Sequence, residues 1–168
     1  MTTYRHQAPE EHNPGWYTAL KYIAILCFML SLAALAYAGY LFLTCEVTVE
    51  SVGLTATEAA SQPELMAELR MQHPDALTGE DTDYAFYTYT VRIRNDTFVP
   101  IEQIEGSVKL VPGDVCQVPD RGSWTVGARS VGDLAITILT RTNTNPVRDA
   151  AISWYLWGKP SFAQIIVR

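Results

Sequence analysis

The sequence predicts a mainly β protein: one N-terminal transmembrane helix, then an antiparallel β-sandwich with one short inserted helix. Three observations support this fold class. A run of 24 residues without a charge spans residues 22–45. Beyond it, apolar residues recur at every second position, as in half-buried strands. Turn-forming residues such as Pro112-Gly113-Asp114 separate these short runs. With 168 residues in total, the chain has room for a single domain after the helix.

The uncharged run is long enough to cross a bilayer. As a helix it would extend about 36 Å, against a hydrocarbon core of about 30 Å. The triplet Ala36-Tyr37-Ala38 resembles a signal-peptidase site, but the apolar character continues past it. A secretory signal needs only about 7–15 apolar residues. We therefore predict an uncleaved transmembrane helix over residues 18–45.

The flanks of the span predict its orientation. Arg5 and Lys21 precede the uncharged run, and no Lys or Arg follows it until Arg70. Basic residues favour the cytoplasmic side, so residues 1–17 form a predicted flexible cytoplasmic tail in a single-pass protein of the cell membrane. Residues 46–168 are then extracytoplasmic. The first strand begins almost directly after the span, so the near end of the domain is expected close to the lipid headgroups.

Two small residues inside the span bear on oligomerisation. Ala34 and Ala38 form a small-xxx-small pair of the kind that lets two helices approach closely. This pair would permit a homodimer, although the signal is weak.

An acidic, partly helical insertion is predicted at about residues 56–83. Ser61 followed by Glu64 has the spacing of a capping box, and His73-Pro74 is a typical helix stop, which predicts a helix over residues 62–72. Its narrow apolar stripe is expected to cap an open end of the sandwich. That stripe consists of Leu65, Met66 and Leu69.

Charge is concentrated early in the extracytoplasmic part. Residues 46–83 contain nine acidic residues and one basic residue, Arg70. Such a segment repels nucleic acid, which excludes that class of partner. Within it, Asp81 and Asp83 are weak candidates for a divalent-cation site, because clustered carboxylates suit hard cations, but the glycine and closing glutamate of an EF-hand are missing.

The remaining half alternates as strands do. In residues 84–94 one face consists of Ala85, Tyr87, Tyr89, Val91 and Ile93, and the opposite face is predicted to be exposed. Asn95-Asp96 then turns the chain. Further strands are predicted around Ile104 and Val108, at residues 134–138, 152–157 and 162–167.

This pattern resembles a known family. The segment YTVRIRNDTFVPIEQIEGSVKLV, with the later VGARSVGDLAITI, is similar to immunoglobulin-like sandwiches of the FxLYD and late-embryogenesis-abundant 14 type. The resemblance covers about residues 86–140. The overall layout also looks like that of uncharacterised single-span surface proteins of Gram-positive bacteria. The resemblance implies an immunoglobulin-like fold and a location at the membrane, and it supplies no active residues.

No enzyme and no cofactor are predicted. The extracytoplasmic part has one histidine, His73, and no nucleophile elbow, P-loop or zinc-spaced cluster. Outside the membrane, Cys45 and Cys116 either form a disulfide or remain two free thiols, since sequence does not fix their distance.

Aromatic residues near the C-terminus provide the candidate surface. Trp154 and Trp157 would point to opposite faces of one strand, which leaves one of them exposed. Trp157, Tyr155 and Phe162 are therefore the candidate ligand or partner residues. The predicted function is a non-catalytic interaction or scaffold protein that contacts the bilayer and a membrane or envelope protein. The alternative is a ligand-binding module for a divalent cation or a cell-envelope glycan.

Overall fold

A computed structural model describes residues 14–44, 46–119, 122 and 124–168 of the chain. The chain divides into two compact units, one that ends at Thr44 and one that follows it. The described part of the first unit is a single helix, α1 (Pro14–Thr44).

Helix α1 contains one stretch, Gly15–Tyr40, that is long and apolar enough to cross a membrane. The helix begins four residues earlier than the predicted span, because proline is well tolerated in a first turn, where its missing N–H has no partner to lose. Residues 14–17, predicted as tail, are therefore helical. Residues 1–13 and Cys45 lie outside the described residues.

The second unit is a two-layer antiparallel sandwich, which confirms the predicted fold class. One sheet has the strand order β1-β2-β6-β4 and the other has the order β5-β3-β7-β8. The strands of the described residues are β1 (Val47–Glu58), β2 (Tyr84–Asn95), β3 (Ile101–Val108), β4 (Asp114–Gln117), β5 (Trp124–Val126), β6 (Ser130–Arg141), β7 (Arg148–Leu156) and β8 (Lys159–Val167).

The main core lies between the two sheets and follows the predicted alternation. The inward residues of β2, from Ala85 to Ile93, pack with Leu134, Ile136 and Ile138 of β6. Ile104, Ile152 and Trp154 cover them from the second sheet. Period-two patterning is sufficient here because each of these strands buries one face.

Strand β1 is longer than the sequence predicted. It runs to Glu58 and pairs with β2 from Val47↔Asn95 to Glu58↔Ala85, with a register shift between Ser51 and Gly53. The insertion therefore begins at Ala59 and not near residue 56. Residues 54–58 are part of the strand because they remain paired with β2, and their composition alone did not predict this pairing.

The inserted helix, α2 (Pro63–Gln72), lies close to its predicted bounds and ends at His73, as expected. The predicted capping box is wrong. Residues Ala59–Ser61 form a short 3-10 turn, in which the Ser61 hydroxyl donates to the Glu58 carbonyl, and Gln62 is the N-cap without a side-chain hydrogen bond.

Helix α2 packs on the outer face of the first sheet and not over an open end of the sandwich. A second apolar cluster joins the insertion to β2, β4 and β6; it consists of Ala59, Met66, Leu69, Leu77, Tyr84, Phe86, Cys116 and Leu139. Tyr84 and Phe86 were predicted on the exposed face of β2, and both are buried because the insertion covers them. Burying side chains such as Met66 and Leu69 contributes about 1.5–3 kcal/mol each.

Cys116 is a buried free thiol within this second cluster, and burial raises the pKa of the thiol. Cys116 pairs with Leu139, and Leu139 pairs with Phe86 of β2. Strand β1, which follows Glu46, starts opposite Asn95 of β2. Phe86 and Asn95 are nine positions apart, so Cys116 lies about 30 Å from the start of β1 at about 3.3 Å per residue. Because the Cα atoms of a disulfide lie within about 7 Å, the position of Cys116 favours the free-thiol alternative.

Candidate interaction surface

Asn95 fixes the loop between β2 and β3. Its side chain is fully buried, and its amide nitrogen donates to the carbonyls of Val99 (2.8 Å) and Gly127 (2.9 Å). Its side-chain oxygen accepts from the backbone N–H (3.0 Å) and hydroxyl (2.7 Å) of Thr97. The same bonds occupy the nitrogen that N-glycosylation of Asn95-Asp96-Thr97 would modify. The loop therefore holds Phe98, which is 42% exposed, in a defined position.

A two-residue turn, Trp157-Gly158, joins β7 to β8. Leu156 pairs with Lys159, and both turn residues have positive φ, +57° and +70°. Such type I′ turns favour Asn-Gly, and a residue with a Cβ in the left-handed region costs about 1–2 kcal/mol. A tryptophan therefore occupies a position for which its backbone preference is poor. Its side chain stays 57% exposed.

The two turns meet through their aromatic side chains. The rings of Phe98 and Trp157 have centroids 5.7 Å apart and planes at 89°, an edge-to-face contact. Such pairs contribute about 0.5–1.5 kcal/mol beyond the area they bury. We call this pair, with the turn residues that hold it, the aromatic tip.

Beside the tip, the outer face of the second sheet carries further exposed aromatic side chains. Tyr155 (44% exposed) and Trp157 line a shallow depression of about 390 Å³, together with Pro100 and Glu102. Phe162, 73% exposed, lies further along β8, opposite Ser153, and does not line this depression. The structure thus brings two of the three predicted surface residues together.

Trp154 and Trp157 differ in exposure as expected, but for another reason. Trp154 points into the core, and its buried indole N–H makes no hydrogen bond within the described part of the chain. Trp157 lies outside the strand, so the exposure of its side chain comes from the turn and not from strand alternation.

Asp81 and Asp83, the cation candidates, are both bonded to other parts of the chain. Asp81 accepts from the Arg70 guanidinium at 2.7 Å. Asp83 accepts from the backbone N–H of Glu80 at 3.0 Å, as part of a capping box around a 3-10 turn, Asp81–Asp83. Among the described residues, no three His, Cys, Asp or Glu side chains converge as a metal site would require.

Sequence patterning missed a buried ion pair between the two sheets. Arg148 of β7 donates to Asp114 of β4 through two bonds, 2.8 and 2.7 Å, and both side chains are almost fully buried. Burial raises the pKa of Asp114, but hydrogen bonds from Arg148 and from the Val111 N–H outweigh it, so the pKa lies below its usual value. Arg148 continues the alternation of the inward residues of β7 that begin at Ala150, and this alternation could have predicted that its side chain is buried.

Tyr89 lies next to this pair. Burial raises the pKa of Tyr89 to about 12; the charge of Arg148 lowers this pKa and the charge of Asp114 raises it. Its hydroxyl donates to the Pro146 carbonyl at 2.7 Å. The phenol is therefore neutral at physiological pH, and the arrangement is a satisfied polar network inside the fold.

No protein-family model and no curated protein matches the chain. Among solved structures, the chain is similar to the cupredoxin domain of amoB from Nitrosocaldus yellowstonii, with 13% identity and a TM-score of 0.33. The match covers 71% of this chain and 86% of that one. At this TM-score the likeness carries no argument about function.

Proposed function

We propose that the chain is a membrane-anchored, non-catalytic interaction or scaffold protein whose sandwich domain works outside the cytoplasm. Helix α1 supplies an apolar stretch of sufficient length to span a bilayer. Arg5 and Lys21 before the uncharged run of residues 22–45, with no basic residue after it until Arg70, support a cytoplasmic N-terminus.

The exposed aromatic face of the second sheet is the single observation that carries the interaction role. Tyr155, Phe162 and Ile166 (63% exposed) project from β7 and the edge strand β8. Tyr155 lies next to the aromatic tip, and Ile166 lies toward the other end of β8, opposite Asp149. Interfaces are enriched in aromatic side chains, and an edge strand offers unpaired backbone groups to a second chain. A membrane or envelope protein is the partner that this surface and the anchor together favour.

Strand order supports an immunoglobulin-like assignment for the domain, as the resemblance to FxLYD and late-embryogenesis-abundant 14 domains implies. Immunoglobulin constant-type sandwiches pair strands A-B-E-D and C-F-G. Taking β1, β2, β6 and β4 as A, B, E and D leaves β3, β7 and β8 in the order of C, F and G. The short strand β5 is added beside β3.

A glycan-binding module is the alternative that one observation favours. Trp157 and Tyr155 flank the depression that also contains Glu102, and a strand irregularity at Gln103 (φ +51°) shapes its rim. Aromatic faces beside a carboxylate suit a sugar ring. A thermal shift with cell-envelope glycan, abolished by Trp157→Ala, would support this alternative over a protein partner.

Site-specific photocrosslinking in intact membranes tests the protein-partner proposal. A photoreactive amino acid replaces Phe162, and a second version carries it at Met71, a control position on α2 that is 79% exposed. We expect a discrete protein adduct from position 162 that Ile166→Lys removes, and no such adduct from position 71. Equal adducts at both positions, or none at position 162, would contradict the proposal. An adduct of two copies, lost on Ala34→Leu, would instead identify the homodimer.

A further inference from the structure

The aromatic tip lies at the end of the domain where the chain enters from α1. The backbone N–H of Asp96 donates to the carbonyl of Glu46 at 3.1 Å, and Val47 pairs with Asn95. Phe98 follows two residues later and contacts Trp157. Chain entry, the β2–β3 loop and the β7–β8 turn therefore share one end of the sandwich.

The acidic insertion lies at the opposite end of the first sheet. The insertion, residues 59–83, carries six acidic residues and one basic residue, and it packs on Phe86 and Leu139. Phe86 is nine positions along β2 from Asn95, about 30 Å at about 3.3 Å per residue. The negative charge of the insertion is thus far from the aromatic tip.

The charges around the tip are mixed in sign. Asp96 lies in the β2–β3 loop, Arg129 lies in the β5–β6 turn and Lys159 begins β8, while the exposed Glu46 and Glu102 lie at the same end of the domain. Arg129 is tied to this end through its backbone N–H, which donates to the Thr97 carbonyl at 3.0 Å. Asp96 accepts from Arg94 at 2.9 Å, and the exposed Arg129 and Lys159 are matched in number by Glu46 and Glu102, so this end is close to neutral whereas the insertion is strongly acidic.

We propose that the aromatic tip rests in the interfacial layer of the bilayer that α1 spans. The amphipathic indole of Trp157 enters the boundary between headgroups and acyl chains, where tryptophan is favoured, and the apolar ring of Phe98 enters beside it. The cationic groups of Arg129 and Lys159 meet lipid phosphates. The contact is a docking of the domain onto its own membrane, and it rests on the anchoring role of α1 proposed above.

Covalent connection and charge both favour lipid over a protein as the occupant of the tip. Only Cys45 stands between Thr44 and Glu46, so the covalent chain holds the Glu46 end of the domain near the end of the span. An anionic lipid surface repels the acidic insertion, which turns that end outward, whereas the nearly neutral tip can approach the lipid and pair Arg129 and Lys159 with its phosphates. Contact with lipid would then give a reason for a tryptophan at a turn position whose left-handed backbone conformation is unfavourable for it.

Fluorescence quenching by brominated lipid tests this docking in the full-length chain. The protein is reconstituted into vesicles of phosphatidylcholine and phosphatidylglycerol, with or without bromine on the upper acyl chain. One version keeps only Trp157 of the four tryptophans, and a second keeps only Trp16, which lies in α1. A third replaces all four by phenylalanine and carries Met71→Trp as a matched exposed control on the acidic insertion.

We expect brominated lipid to lower the emission of the Trp157 and Trp16 versions about two-fold and to leave the Met71→Trp version unchanged. Quenching of Trp16 without Trp157 overturns the docking and leaves the anchor intact. Quenching of both Trp157 and the Met71→Trp version also overturns it, because lipid would then contact the acidic insertion as well as the tip. Absence of quenching at Trp16 overturns the anchor and the docking together. If Trp154→Phe prevents folding, the difference between the unmodified chain and Trp157→Phe reports the same quantity.

Discussion

Replacing Arg148 by methionine is expected to destabilise the sandwich severely. Arg148 and Asp114 are joined by two bonds of 2.8 and 2.7 Å, with side chains 1% and 0% exposed. Methionine fills similar volume but leaves a buried carboxylate without its counter-charge, which costs about 3–5 kcal/mol. This is a large share of the 5–15 kcal/mol typical of a whole domain. Urea unfolding of residues 46–168, which contain both cores, measures the change.

An exposed pair of matched chemistry provides the control. Arg92 and Asp133 also form two bonds, both 2.8 Å, but their side chains are 42% and 43% exposed. Arg92→Met should cost no more than about 1 kcal/mol, because water already screens and solvates both groups. The double variant Arg148→Met with Asp114→Asn should recover part of the loss, since no full charge stays buried. If Arg148→Met costs as little as Arg92→Met, the argument from burial is refuted.

Three further predictions follow from particular contacts. Because folding lowers the pKa of Asp114, its carboxylate should stabilise the fold above the unfolded pKa of about 3.9, and this stabilisation should be lost as the pH falls below that value. Measuring the free energy of unfolding against pH checks the sign, and Asp114→Asn should flatten this acid dependence. Leu69→Ala should cost about 2–5 kcal/mol by urea unfolding, whereas Met71→Ala on the exposed side of α2 should stay within about 0.5 kcal/mol; equal costs would contradict the packing of α2 on the sheet. Asn95→Ala should cost about 1–3 kcal/mol and speed hydrogen exchange at Thr97, and unchanged exchange there would contradict the buried loop network.

The inner face of the sandwich was predictable from sequence because each of its long strands obeys one simple rule. In β2, every second side chain from Ala85 to Ile93 enters the core. The outer face did not follow from the same rule. Tyr84 and Phe86 are buried by an insertion that is adjacent in sequence but folds back over the sheet, and strand periodicity says nothing about such a cover. The Ser61 capping box failed because a 3-10 turn, which depends on local packing, uses the hydroxyl differently.

The candidate surface was predictable in its residue types and not in its geometry. Strand alternation predicted that one of Trp154 and Trp157 is exposed, but Trp157 lies outside the strand and is exposed by a turn with positive φ, which the sequence pattern did not reveal. Phe98 was missed altogether, because a single apolar residue in a polar loop carries no periodic signal. Its position depends on Asn95, whose hydrogen bonds reach Gly127, 32 residues away in sequence.

Two residues break local rules in this domain, and the ways in which they are accommodated differ. Arg148 is a charged residue at an inward strand position, and the fold accommodates it with a buried partner, Asp114. Trp157 is a bulky residue in a left-handed turn, and its contact with Phe98 offsets about as much as its backbone costs. Trp157 still exposes more than half of its side chain, at a turn position where asparagine is the favoured residue. The docking proposed above would give this tryptophan a use outside the domain, and quenching by brominated lipid tests it.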